Sequence, residues 1–204
     1  MFQEKDKKKI RVLIVDDSSF MRMAIRGILD REPDIEVVGS AIDGLDGVKK
    51  AIDLQPDVVT MDIEMPRMDG ISALKEIMTK SPMRVVMVST LTNEGATATF
   101  DALEAGAVDY IPKNITDSTA AQKLFKEELL RKVKAAAMVA IPHRGVRTFS
   151  PVASPVTRPV ASRLKPSRVS CVAIGASTGG PIALQEVLSR IPANFPYGIM
   201  VAIH

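Results

Sequence analysis

Five side chains placed at the ends of apolar runs carry the chemistry of the first half of this sequence. Asp16 and Asp17 close the run at 11–15, and Asp62 closes the run at 57–61. Ser89 closes the run at 84–88, and Lys113 follows the run at 108–111. Three carboxylates brought together repel and raise one another's pKa. A divalent cation that prefers oxygen removes that repulsion, and Mg2+ suits one or two carboxylates plus a phosphate. Lysine adds a point charge for a phosphoryl oxygen, and serine a hydroxyl. Taken singly, each Asp reads as a helix N-cap or a turn residue. Polar groups at four of the strand ends are harder to assign to coincidence, because ligands of an open parallel sheet sit outside those ends.

A second pattern lies at Gly175-Ala176-Ser177-Thr178-Gly179-Gly180. A serine on a sharp strand-to-helix turn exposes its hydroxyl, and flanking glycines let the chain turn tightly. Backbone N–H groups at the start of the next helix can stabilise an oxyanion. Gly/Ser-rich turns also cradle phosphates, so the pattern alone leaves both readings open. It lacks the Lys-Ser/Thr of a P-loop and the spacing of a dinucleotide fingerprint. A serine nucleophile needs a base within hydrogen-bond reach. The chain has two histidines. His143, between Pro142 and Arg144, reads as a solvated residue. His204 ends the next apolar run, and neighbouring strands lie about 4.8 Å apart, which puts it at the sheet edge of Ser177. By position alone it reads equally as that base or as a frayed terminal residue. The single cysteine, Cys171, reads as a buried, inert thiol. The eleven methionines read as core or turn residues.

The elements that must position these groups follow from periodicity. Strands are expected at 11–15, 35–39, 57–61, 84–88 and 108–111. Helices are expected from Ser18 or Ser19 as cap, with Phe20, Ala24 and Ile28 in helical spacing beside Met21 and Ile25, and then at 44–54, 71–78, 94–105 and 117–140. Met65-Pro66 and Asp69-Gly70 mark a loop, and Gly106 a helix end. Alternating apolar strands and helices imply a parallel sheet covered on both faces. Residues 141–168 carry five of the thirteen prolines, six cations and no periodicity, the composition of a linker. Beyond it the pattern predicts a buried strand at 170–174, a helix at 181–189 and a strand at 197–203. About 36 residues are too few to fold alone.

Charge and composition narrow the function classes. Residues 1–113 carry a net charge of −5, residues 141–168 carry +6, and the whole chain +3. The basic balance therefore belongs to the linker and not to a nucleic-acid-binding domain. Residues 169–204 hold one Arg and one Glu, which disfavours a basic helix-turn-helix there. Trp is absent and aromatics are 4%, a poor basis for stacking on single strands. No apolar run approaches 18 residues, so no membrane insertion is expected. One cysteine fits a reducing cytosol, hence a cytoplasmic protein. Two His and one Cys argue against structural zinc.

Val-Asp-Asp-Ser at 15–18, Asp-Ile-Glu-Met-Pro-Arg-Met-Asp-Gly at 62–70, Val-Ser-Thr at 88–90 and Tyr-Ile-Pro-Lys at 110–113 resemble a two-component receiver domain. The resemblance implies a (βα)5 receiver, flavodoxin-like, with a doubly wound parallel sheet. It implies Asp62 as phosphoacceptor, and Mg2+ held by Asp16, Asp17, Asp62 and the backbone carbonyl of Glu64. Ser89 and Tyr110 would be the switch pair, with Lys113 as the cation on the phosphoryl group. Receivers usually carry Lys-Pro with a cis bond there; here Asn114 follows Lys113 and Pro112 precedes it. A cis bond to a non-proline costs about 2.5–4 kcal/mol, which leaves the isomer open.

Val-Ala-Ile-Gly-Ala-Ser-Thr-Gly-Gly-Pro at 172–181 is similar to the opening of the catalytic domain of the chemotaxis protein-glutamate methylesterases, the CheB family. The order of receiver, helix, basic linker and this motif matches too, as does Leu91-Thr92. The implied division is a receiver over 1–140, a linker over 141–168 and the first strand–helix–strand of a second α/β domain over 169–204. The family triad is Ser, His and a distant Asp; Ser177 and His204 match the first two, and the third has no counterpart here. The length reads as that of a truncated chain, inactive alone, with about four-fifths of a catalytic domain wanting. The implied function is phosphorylation-activated hydrolysis of glutamate methyl esters, and deamidation of glutamines, on chemoreceptors. A chemotaxis histidine kinase would be the phosphodonor. The rival expectation is a non-enzymatic phospho-receiver that docks to a kinase or receptor.

Overall fold

The computed structural model describes residues 8–89, 101–113, 118–141, 171–178 and 180–203, with backbone alone at 181, 182, 185, 186 and 203. Strand β1 (Ile10–Val15) is followed by helix α1 (Ser19–Leu29), β2 (Ile35–Ala41), α2 (Gly44–Leu54), β3 (Val58–Asp62), α3 (Gly70–Lys80) and β4 (Arg84–Ser89). Then come β5 (Asp109–Pro112) and helix α4 (Thr119–Met138). All pairs are parallel, in the order β2-β1-β3-β4-β5. This is the doubly wound, flavodoxin-like sheet expected, with its switch in strand order beside β1. The expected helix at 94–105 is described only over its last residues, where 101–104 are helical. Residues 90–100 and the expected linker beyond residue 141 lie outside the described residues.

Period-two alternation divides the core into two layers. Leu13, Val15, Val59, Met61, Val85 and Met87 face Val48 and Ala51 of α2 and Ala73, Leu74 and Ile77 of α3. Val12, Ile14, Val58, Val86 and Val88 face Met21, Ile25 and Leu29 of α1 and Phe125, Leu129 and Val133 of α4. The buried stripe of α1 is thus Met21–Ile25–Leu29. Phe20 is 61% exposed and lines, with Ala24 and Ile28, a groove against α4. Ser18 is the cap: its hydroxyl accepts from the Met21 N–H at 3.4 Å. Asp43 and Asp69 cap α2 and α3 in the same manner, at 3.0 and 2.8 Å.

The chain leaving β3 must turn back at once into α3. The Gly70 N–H donates to the Ile63 carbonyl at 2.8 Å. A Cβ on Gly70 would lie 1.8 Å from the Asp62 carbonyl oxygen, so only glycine lets α3 start this close to β3.

Apart from these, β6 (Cys171–Ala176), helix α5 (Gly180–Leu188) and β7 (Gly198–Ile203) form a parallel two-stranded sheet with one helix. The expected strand–helix–strand is present, but β6 is not buried: its residues alternate between exposed and half-buried. Cys171 is exposed, correcting the expectation of a buried thiol. The physical reason is coverage. Leu184 is the one buried hydrophobic residue of this unit among the described side chains, while Met200 is 63% and Val187 51% exposed.

The contact at Gly70 yields a direct test. Gly70→Ala should destabilise the fold by about 3 kcal/mol, because the clash is with backbone that cannot rotate away. Urea unfolding followed by circular dichroism would measure it; a midpoint unchanged from the parent would contradict the close approach.

Candidate functional site

Parallel register brings the strand ends together. Val15 pairs with Met61, Asp62 with Val88, and Ser89 with Pro112. The residues at or just past the ends of β1, β3, β4 and β5 therefore meet at one sheet edge. Carboxylate oxygens of Asp16, Asp17 and Asp62 all lie within 4.8 Å of one another. Asp16 and Asp62 are 1% and 4% exposed, whereas Asp17 opens to solvent. The Lys113 ammonium reaches between the two buried acids, 2.6 Å from Asp62 Oδ2 and 2.9 Å from Asp16 Oδ2. The Lys113 N–H donates to the Ser89 carbonyl at 2.7 Å, which ties the end of β5 to the end of β4.

The remaining carboxylate oxygens are held by backbone. Asp62 Oδ1 accepts from the Ile63 N–H at 2.8 Å, and Asp16 Oδ1 from the Ser18 N–H at 2.9 Å. Burial pushes the Asp62 carboxyl up to about 6, aided by Asp16 and opposed by Lys113. For Lys113 burial acts to lower the pKa, but the hydrogen bonds to Asp62 and Asp16 outweigh it and hold the ammonium above its ordinary value. Three carboxylates against one ammonium leave excess negative charge. The donor set is oxygen only, so the cluster suits a hard divalent cation.

Of the other expected residues, Ser89 is buried at the end of β4 and Tyr110 is half-buried in β5, paired with Met87. Glu64 is exposed on the loop two residues past Asp62. The peptide bond between Lys113 and Asn114 lies outside the described residues. Ser177 is exposed at the turn after β6, and its carbonyl accepts from the Gly180 N–H at 2.6 Å. The β6–β7 register ends at Ala176 opposite Ile203. His204 and His143 lie outside the described residues.

Sequence reasoning missed three supporting groups. The Arg22 guanidinium donates to the carbonyls of Asp16 and Asp17, at 2.8 and 2.9 Å, and holds the acidic turn. Its place one turn into the helix after the acid pair was the available signal. Asp43, 1% exposed, forms an ion pair with Arg67, a non-glycine residue at φ +67° in the loop after β3. The Gly44 N–H donates to the Met68 carbonyl at 3.1 Å, so the start of α2 pins the same loop. No local pattern announces that pairing. The third group is Lys132 of α4, 2% exposed behind β5.

Comparison with known proteins bears on this geometry. Residues 12–125 match the family model of the response regulator receiver domain. The chain belongs to that family. Residues 172–204 match the CheB methylesterase model. The protein-glutamate methylesterase/protein-glutamine glutaminase 1 of Geobacter sulfurreducens is 62% identical over 97% of this chain and 56% of its own length. That of Thermotoga maritima is 48% identical over 96% of this chain and 55% of its own. The chain is thus similar to these proteins along nearly all of its length, and spans about half the length of the curated relatives it matches. The crystal structure of the response regulator domain of Thermotoga maritima CheB superposes with a TM-score of 0.60 at 54% identity, over 65% of this chain and 99% of that one. A Borrelia burgdorferi CheX-CheY-BeF3-Mg+2 complex gives 0.54 at 32% identity, over 65% and 92%.

The receiver site has a pH signature. Asp62 titrates near 6 in the fold and near 3.8 in the open chain, so the fold favours its neutral form. That stability is fully present below about pH 4 and is lost as pH rises through about 6. Without divalent cation, Asp62→Asn should therefore be more stable than the parent at pH 7.5, by about 2–3 kcal/mol, and nearly equal to it at pH 4. Lys113 keeps Asp16 as partner in that variant. Denaturant titrations at the two pH values would check this; a variant weaker than the parent at pH 7.5 would contradict it.

Proposed function

We propose that this sequence belongs to a phosphorylation-regulated protein-glutamate methylesterase and glutamine deamidase acting on chemoreceptors in the cytoplasm. On this reading, residues 1–140 are the receiver, 141–168 the linker and 169–204 the opening of the catalytic domain. The observation that carries it is the meeting of Asp62 with Lys113 and the Asp16–Asp17 pair at one sheet edge, in one chain with a strand–turn–helix that presents Ser177. The relatives' names support the substrate class.

In the receiver, an Asp62 oxygen attacks the phosphorus of a phosphohistidine on a chemotaxis kinase. An O–P bond forms, the P–N bond breaks, and the imidazole keeps the electron pair and takes up a proton. Burial keeps water from the acyl phosphate, and the Ile63 N–H orients the attacking carboxylate. Lys113 exchanges its bond to Asp62 for one to a phosphoryl oxygen, a charge-assisted contact that the ammonium is already placed to make. Ser89 and Tyr110 are the pair that would respond. Asp16, Asp17, Asp62 and the Glu64 carbonyl would hold Mg2+, which when bound neutralises charge on the transferring group.

In the second unit Ser177 Oγ attacks the acyl carbon of a glutamate methyl ester and passes its proton to His204. The ester C–O bond breaks and methoxide takes that proton from His204 to leave as methanol; water then gives a proton to His204 and attacks the acyl carbon, and the acyl–Oγ bond breaks as Ser177 regains the proton. The parallel β6–β7 register supports this, because Ser177 and His204 each follow the last pair by one residue. Further helices of a catalytic α/β domain would cover the exposed faces of β6 and β7. Moving such a site from mostly occluded to mostly open takes about 5.5 kcal/mol of differential stabilisation.

Receptor methyl-ester hydrolysis by the full-length protein, with and without a small-molecule phosphodonor, tests the proposal. Ser177→Ala should lose about a thousandfold or more of the rate, and Asp62→Asn should lose only the response to phosphodonor. Hydrolysis unchanged in Ser177→Ala would refute the catalytic assignment. Phosphorylation without hydrolysis in the parent would leave the non-enzymatic receiver as the better reading.

In the same protein, chelating divalent cations should abolish phosphoryl incorporation into Asp62, and Mg2+ should restore it. Incorporation that persists in excess EDTA, or in Asp62→Asn, would remove the metal or the acceptor assignment respectively.

A further inference from the structure

A lysine is almost never fully buried unless it is paired. Lys132 is 2% exposed, and three of its contacts converge on two consecutive residues of β5. Its ammonium lies 3.1 Å from Asp109 Oδ1 and donates to the Tyr110 carbonyl. It also sits over the Tyr110 ring, 4.7 Å from the centroid. Glu128, one turn earlier on α4, completes the set at 3.2 Å. Asp109 Oδ1 also accepts from the Tyr110 N–H at 2.8 Å, and Asp109 Oδ2 has no hydrogen-bond partner among the described residues. The Asp109 carboxylate is thus neutralised by Lys132, and Tyr110 is held at its N–H, its carbonyl and its ring by one charge pair.

We propose that Lys132 is a positioning residue for Tyr110: its buried ammonium, fixed by Asp109 and Glu128, holds the tyrosine ring in its present rotamer and so sets the resting balance of the receiver. This rests on Tyr110 being a switch residue. The carbonyl and carboxylate contacts survive a ring flip, whereas the ring contact does not. Lys132 therefore discriminates between rotamers by the ammonium–ring attraction alone. An attraction of this kind in a desolvated setting changes a two-state ratio about 3–30-fold. By linkage, the same factor enters the affinity for anything that favours the other rotamer.

The chain has two tyrosines and no tryptophan, so Tyr197→Phe leaves Tyr110 as the single tyrosine. In that background, 3-fluorotyrosine gives one fluorine resonance, which reports the ring's surroundings. This 204-residue chain, carrying Tyr197→Phe, is titrated with beryllofluoride in the presence of Mg2+. The parent should show the resonance moving to a saturated position. Lys132→Met should start part-way towards that position and reach half-saturation at about 3–30-fold lower beryllofluoride. Lys132→Arg, which keeps the charge, should return towards the parent. A variant with Lys132→Met and Asp109→Asn together removes both buried charges and carries the test where the single variant does not fold. A purely structural lysine would lower the melting temperature and leave the midpoint in place. A Lys132→Met midpoint equal to the parent's overturns the proposal; a parent resonance that ignores beryllofluoride overturns the switch assignment instead.

Discussion

Much of this structure answers to one carboxylate taken out of water. Asp62 is buried beside a second buried acid, and the ion pair with Lys113 makes that placement tolerable. The partner comes from the far side of β4, so the pairing exists only while β1, β3, β4 and β5 keep their register. Register in turn is fixed by the two apolar layers. Slipping a strand by one residue would turn its core face outward and carry its terminal acid to the wrong side. Packing far from the site thereby sets distances of a few ångströms within it.

The edge strand β5 is held by buried charge at both ends. Lys113 follows its last residue and ties it to Asp62 and Ser89, while Asp109 begins it and ties it to Lys132. Between them stands half-buried Tyr110. Four residues with one neighbouring strand gain little from the sheet ladder alone, and two ion pairs supply what the missing neighbour would. The same pairs make β5 sensitive to charge arriving at Asp62, since phosphorylation alters the partner that Lys113 prefers. The loop after β3 is restrained differently, by the buried Asp43 against Arg67 and by the close start of α3 at Gly70.

The second unit shows what such a site lacks when its layers are absent. Its strands pair in parallel register and present Ser177 at a glycine-rich turn, yet the serine is exposed and the strand faces are open. A nucleophile gains from a base and oxyanion donors only in a desolvated, rigid setting. Local sequence is enough for the turn; that setting needs further layers of chain.

Sequence alone determined the alternation of strands and helices, the capping of α1 by a serine and the polar residues at the strand ends. These are local facts, carried by periods of two and 3.6 and by residue type. Helix 44–54 is legible to the residue, and the α1 stripe only in part, because Phe20, Ala24 and Ile28 share its helical spacing but line the groove against α4. Tertiary structure decided which acids meet, that Lys113 lies between Asp16 and Asp62, and that Asp62 holds its proton more tightly than a free carboxyl. It also decided that Arg22 holds the acidic turn, and that Lys132 is buried under Tyr110. Each of these depends on groups distant in the chain meeting across strands or helices. The energy of a buried charge depends on its neighbours in space, and a sequence names those neighbours only after the sheet has chosen its order.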